Sequence, residues 1–138
     1  MANLRGYTEI YDRDTVAVGS AQLHELGTRA FDENNNEWIY LSGTASVQLG
    51  DWIVYDENFA TTRLTANEVG PVAIAGAAIT LNQSGWFQIY GINNQARTDT
   101  ISADRSLYID GTAGRVDDLG VAGDLVIGAY SMSADASN

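Results

Sequence analysis

Gly85-Trp86-Phe87-Gln88-Ile89-Tyr90-Gly91, followed at once by Ile92, limits what the rest of this chain can become. Side chains alternate with period two along a strand. Trp86, Gln88, Tyr90 and Ile92 then share one face, with Phe87 and Ile89 on the other. Both faces are largely apolar, so the segment requires cover on two sides and belongs in the middle of a sheet. Trp86, Phe87, Ile89 and Tyr90 are expected in the core, together with Trp52 from the similar run Trp52-Ile53-Val54-Tyr55. Glycine inside a β run marks a bulge, a corner or a close backbone approach. Gly85 and Gly91 are therefore expected at corners of a small closed sheet.

The flanking sequence is also β-like. Glu25 to Phe31, then Asp32-Glu33-Asn34-Asn35-Asn36, then Glu37 to Leu41 reads as a hairpin with a five-residue loop, because Asn and Asp tolerate left-handed backbone. Ala45, Val47 and Leu49 alternate with Thr44, Ser46 and Gln48, the pattern of a half-buried strand. Between Val69 and Leu81 the residues are small and apolar. Gly70-Pro71 and Gly76 oppose a helix there, and the branched residues favour a strand. Leu107 to Ile109 reads as a strand, and Leu125 to Tyr130 as a last, buried one. Turns recur at the spacing of an all-β protein, a small barrel or sandwich of short antiparallel strands. Residues 1–22 are expected as an N-terminal arm or edge strands, 23–130 as a single β domain and 131–138 as a loose tail. Leu4 to Tyr11 alternates without a clean apolar face, which suits either an arm that pairs outside its own domain or an ordinary edge strand.

Composition narrows the chemistry. There is no cysteine, hence no disulfide framework or thiolate zinc site. All seven basic residues are arginine, against eighteen acidic ones, for a formal charge of −11. That charge repels phosphate backbones and anionic membranes, so direct nucleic-acid or membrane binding is not expected. Without lysine there is no P-loop. No apolar run follows Met1 to Arg5, so a secretory signal is not expected, and no segment is long enough to span a bilayer.

Catalytic constellations are equally sparse. His24 is the single histidine and stands in a polar stretch with no orienting partner at a telling spacing, so it reads as a surface residue. Asp56-Glu57 and Asp117-Asp118 are adjacent pairs, and neighbours on a strand point to opposite faces; they read as turn residues. The acidic stretch from Asp104 through Asp110-Gly111 to Asp118 lacks the ligand spacing of a calcium loop. No enzyme activity, metal or cofactor is expected. Trp38, Trp52, Trp86 and seven tyrosines could build a sugar-binding platform, but each tryptophan stands inside an apolar run where core packing is favoured.

Leu26-Gly27-Thr28-Arg29 leading to Glu37-Trp38-Ile39-Tyr40 is followed by Gly50-Asp51-Trp52-Ile53-Val54-Tyr55-Asp56 and by Val69-Gly70-Pro71-Val72-Ala73-Ile74-Ala75. The Gly85 to Gly91 segment, Gly114-Arg115-Val116-Asp117 and Val126-Ile127-Gly128 complete the order. This layout, from about Leu23 to Tyr130, resembles that of the small capsid decoration, or cement, proteins of tailed bacteriophages. The resemblance implies a β-rich, commonly trimeric virion protein without enzyme activity. Such a protein is made in the host cytoplasm and binds the outside of the mature head at three-fold or quasi-three-fold positions. It clamps neighbouring copies of the major capsid protein, and a second decoration protein on the same shell is a further candidate partner. Leu4, Arg5, Tyr7, Ile10 and Tyr11 are the capsid-contact candidates under this reading. The alternative is a carbohydrate-binding or receptor-binding β module.

Overall fold

A computed structural model describes residues 8–9, 22–44 and 46–136. Ten strands, and no helix among the described residues, form two sheets. In chain order they are β1 (Thr8–Glu9), β2 (Arg29–Phe31), β3 (Glu37–Ser42), β4 (Trp52–Tyr55), β5 (Thr61–Arg63), β6 (Val72–Ala75), β7 (Ser84–Tyr90), β8 (Ser106–Ile109), β9 (Val116–Asp117) and β10 (Leu125–Tyr130). Six antiparallel strands make the larger sheet in the order β2-β3-β7-β6-β4-β5, and β1 lies parallel to β2 at its edge. The second sheet is β10-β8-β9, also antiparallel. The larger sheet stays open, so the barrel alternative of the sequence reading does not form.

The period-two reading of β7 holds along most of its length. Ser84 through Gln88 are buried, with β3 on one side and β6 on the other. Phe87 joins Ile39, Leu41, Ile53, Ala73 and Ala75 in a core on one face, closed over by Val47 and Ile79 from connecting segments. On the opposite face Trp86 packs with Ala30, Trp38 and Tyr40. At the other end of that sheet, Trp52, Val54 and Leu64 meet Leu107, Ile109, Val116 and Val126 of the small sheet. β4 therefore supplies both faces, with Ile53 in one core and Trp52 and Val54 in another. Full burial of side chains this size stabilises by roughly 1.5–3 kcal/mol each.

Several expectations are corrected. Tyr90 is exposed rather than buried, because β7 ends there and Gly91 (φ 109°) turns the chain; Ile89 is half-buried beside the first core. Gly85 is no corner: it pairs with Leu41 inside the sheet. Among the residues described between Thr44 and Leu49, only Val47 makes a bridge, to Ile79, and Ser46 has φ 70°. An extended strand cannot pass through that conformation. From Val69 to Leu81 only β6 is a strand, and Val69 and Leu81 face solvent. β10 is largely exposed, with Val126 as its buried side chain. Within the 131–138 tail, Ser131 and Asp135 make bonds: the Ser131 hydroxyl accepts from the Arg105 amide and donates to the Ser102 carbonyl, and Ile101 and Asp135 exchange backbone hydrogen bonds of 3.0 Å.

One ion cluster joins the pieces. Asp51, just before β4, is fully buried; its Oδ2 lies 2.8 Å from Arg63 Nε and its Oδ1 accepts from Arg97 Nη1 at 2.9 Å. Oδ2 also accepts the Gln48 amide, and Arg63 Nη2 donates to the Ala113 carbonyl. A Cβ on Gly114 would stand 2.7 Å from Asp51 Oδ1, so only glycine lets that loop approach. Removing one partner of a buried charge cluster leaves the others uncompensated. Asp51→Asn should lower the unfolding free energy by about 3 kcal/mol, read as a fall in the urea midpoint at unchanged slope. An unchanged midpoint would mean that this cluster does not hold the fold.

Candidate functional site

The chemistry-bearing side chains of the described chain sit mainly in three places. At the β2–β3 hairpin, Asp32 organises the loop of residues 32–36. Its Oδ1 accepts the amides of Asn34 (2.8 Å) and Asn36 (3.1 Å), and its Oδ2 accepts Asn36 Nδ2 and Trp38 Nε1, both at 2.9 Å. Burial by itself would raise this carboxyl, but the hydrogen bonds from Asn36, Trp38 and the two backbone amides outweigh it and hold the carboxyl below its ordinary value. The neighbouring loop residue Asn35 takes the left-handed conformation (φ 61°) that the sequence suggested.

On the same sheet face, His24 is half-buried against two rings. Its centroid lies 5.1 Å from Tyr40, edge-on, and 5.2 Å from Trp86. Tyr40 and Trp86 also meet edge-to-face at 5.2 Å, while the Tyr40 hydroxyl accepts the Leu23 amide. His24 thus packs on Tyr40 and Trp86.

The third place is the acidic side of the small sheet. Asp117 is buried, and its carboxyl is raised first by burial and then by the negative charges of Asp110, Asp118 and Asp99, against a lowering hydrogen bond from the Leu119 amide. Asp118 turns to a different partner, accepting the Ser102 amide at 2.8 Å, and is lowered chiefly by that bond. The two adjacent carboxylates thus serve separate turns. Among the described residues no three acidic or histidine side chains are grouped to hold a metal ion. Asp56 also serves its own turn, accepting the amides of Asn58 and Ala60. It lies on an open groove of about 620 Å³ with Tyr55, Phe59, Glu68, Val69 and Pro71. The lining holds no histidine and no arginine.

All three tryptophans are core residues: Trp38 is 2 %, Trp52 6 % and Trp86 6 % exposed. No tryptophan is therefore available as a stacking platform. Of the capsid-contact candidates, Leu4, Arg5, Tyr7, Ile10 and Tyr11 lie outside the described residues; between them, Thr8–Glu9 pairs with Ala30 and Phe31 as an edge strand. Sequence reasoning missed the outward-facing apolar side chains of β10 and its neighbours, Ile127 above all. An unbroken run such as Leu125-Val126-Ile127 carries no sign of which face is covered. It also missed Asp51 as a buried anion, since its arginine partners are distant in sequence.

Comparisons with protein-family models, with curated proteins and with solved structures found no match for this chain.

The carboxyls give opposite pH responses. Asp32, lowered in the folded state, contributes stability that is present above the ordinary carboxylate range and lost as pH falls through its folded value. Asp32→Asn should be about 2 kcal/mol less stable at neutral pH, with the gap to the parent closing on acidification. Asp117, raised in the folded state, opposes folding once ionised. Asp117→Asn should raise the thermal midpoint at neutral pH and progressively less as pH falls. Thermal unfolding across the acidic range measures both, and parallel curves for parent and variants would contradict them.

Proposed function

We propose that this chain is a structural virion protein: a decoration, or cement, protein that binds the outer surface of a mature bacteriophage head. In this reading it acts as a trimer at three-fold or quasi-three-fold positions and clamps neighbouring major capsid protein subunits. The order and spacing of its glycine-bounded apolar strands, from Leu26 to Gly128, is the observation that carries the reading. The fate of the reactive side chains is consistent with it. Asp51 and Asp32 are tied up in internal bonds, and His24 is packed on Tyr40 and Trp86, an arrangement suited to a rigid clamp.

The physical logic is mass action. A ligand that binds the expanded shell and not its precursor stabilises the expanded state by RT ln(1 + [L]/Kd) per site. Three linked contacts supply avidity from modest individual ones. A charge of −11 keeps such a protein off packaged DNA and soluble at the particle surface. A sugar-binding module draws less support, because the tryptophans that would stack on a sugar are in the core.

Co-sedimentation with expanded heads and with unexpanded precursor shells of the same phage tests the assignment. Saturable binding to expanded shells alone, near one copy per capsid subunit, is expected; binding to neither would overturn it. Deletion of residues 1–11 should weaken shell binding while the circular dichroism spectrum and oligomeric mass persist. Undiminished binding by that truncation would remove the arm from the contact.

A further inference from the structure

The longest edge strand among the described residues is β10. It pairs with β8 through Leu125↔Tyr108 and Tyr130↔Ser106, and no strand lies on its other side. Five residue steps on β10 face two on β8, so the strand bulges between those pairs, where Gly128 has φ 84°. The other edges are blunted. β5 has three residues, β9 has two, and β1 covers the outer side of β2. Natural edge strands avoid unwanted pairing by being short, by carrying charge or proline, or by bulging. β10 has six residues and no charge or proline, and its bulge leaves apolar side chains facing solvent.

The chain from the end of β9 through β10 shares this character. Leu119, Val121, Leu125, Ile127, Tyr130 and Met132 are each about half exposed or more, with Ile127 at 90 %. From Leu119 to Met132 the single charged residue is Asp124, which is buried with its carboxylate on the Asn67 amide. A chain of net charge −11 therefore has a strip of fourteen residues without an exposed charge. Two copies of so acidic a protein repel at long range and meet with least repulsion where the local surface is neutral. A strip without charge also offers nothing to steer a charged partner of another kind. Large apolar side chains rimmed by polar surface are what an interface between subunits buries.

We infer that the Leu119–Met132 strip, centred on Ile127, is the surface through which copies of this chain meet. The contact is argued from the strip itself; that three copies share it rests on the proposed function above. In a closed three-fold ring the same side chain from each subunit can converge on the axis, and Ile127 is the most exposed apolar side chain of the strip.

Sedimentation equilibrium of the full chain over a wide concentration range, with and without added salt, tests this. The parent should sediment at the mass of three chains and associate more tightly as salt screens its net charge. Ile127→Asp and, independently, Leu119→Asp should raise the dissociation constant about 100-fold or more, as a charge placed in the centre of an interface does. Both positions are exposed in the single chain, so circular dichroism should be unchanged. Leu81→Asp, exposed on the β6–β7 connection, should keep the parent mass. A monomeric parent, or folded Ile127→Asp and Leu119→Asp variants with the parent mass, would overturn the inference. A parent that self-associates through the strip but binds no shell would leave it standing and overturn the capsid assignment instead.

Discussion

Asp51 is the fixed point of this molecule. A carboxylate with no solvent exposure persists only if its charge is matched, and here two guanidinium groups from different parts of the chain match it. Arg63 belongs to β5 at the edge of the large sheet, and Arg97 lies 46 residues from Asp51 in the segment leading toward the small sheet. The backbone repeats the arrangement: Arg97 donates to the Gly50 carbonyl, Gly50 donates to Ala75, Trp52 donates to Gly114, and Gly114 donates to Leu64. The Trp52 indole adds a bond to the Arg97 carbonyl at 3.1 Å. An apolar replacement of similar volume could be as stable. What the ionic version adds is a single permitted placement of these loops, because a misplaced loop would strand a buried charge.

Around that point the large sheet is used on both faces. Ile53 and its neighbours Trp52 and Val54 send side chains into separate cores, and β3 and β7 do the same with Ile39 against Trp38 and with Phe87 against Trp86. A one-residue slip in any of these strands would exchange the contents of two cores. Large aromatics fill one face of β3 and β7 and mostly smaller aliphatics fill the other, so the exchanged side chains would not fit. This asymmetry of size sets the register where polarity, which is low on both faces, does not.

That same property limited what could be read in the sequence. Period two gave the alternation in Trp86, Phe87 and Gln88, and the Asp32–Asn36 loop was plain because polar, left-handed-tolerant residues stood between two apolar runs. Alternation does not say which faces are covered. Leu125 to Tyr130 looked as apolar as β7 and proved to be an exposed edge, while Tyr90 lay one step beyond the cover that Gln88 enjoys. The Thr44–Leu49 alternation failed because Ser46 takes left-handed backbone; Val47 is held by a single bridge to Ile79 and by burial. The Asp51 cluster was illegible for a different reason. A turn-like Gly-Asp pair and two arginines far along the chain carry no local mark of their meeting.

Strand order has a consequence for the time at which this protein becomes itself. β3 finds its partner β7 only after the intervening β4, β5 and β6 have been made, and Asp51 waits for Arg97 and for the loop around Gly114. Pairings at such separation are entropically expensive to close and slow to form. Before β7 is made, the chain can form the β2–β3 and β4–β5 pairs but not the strand that joins them into one sheet. The large sheet thus closes only once β7 has been made, and β10 appears later still.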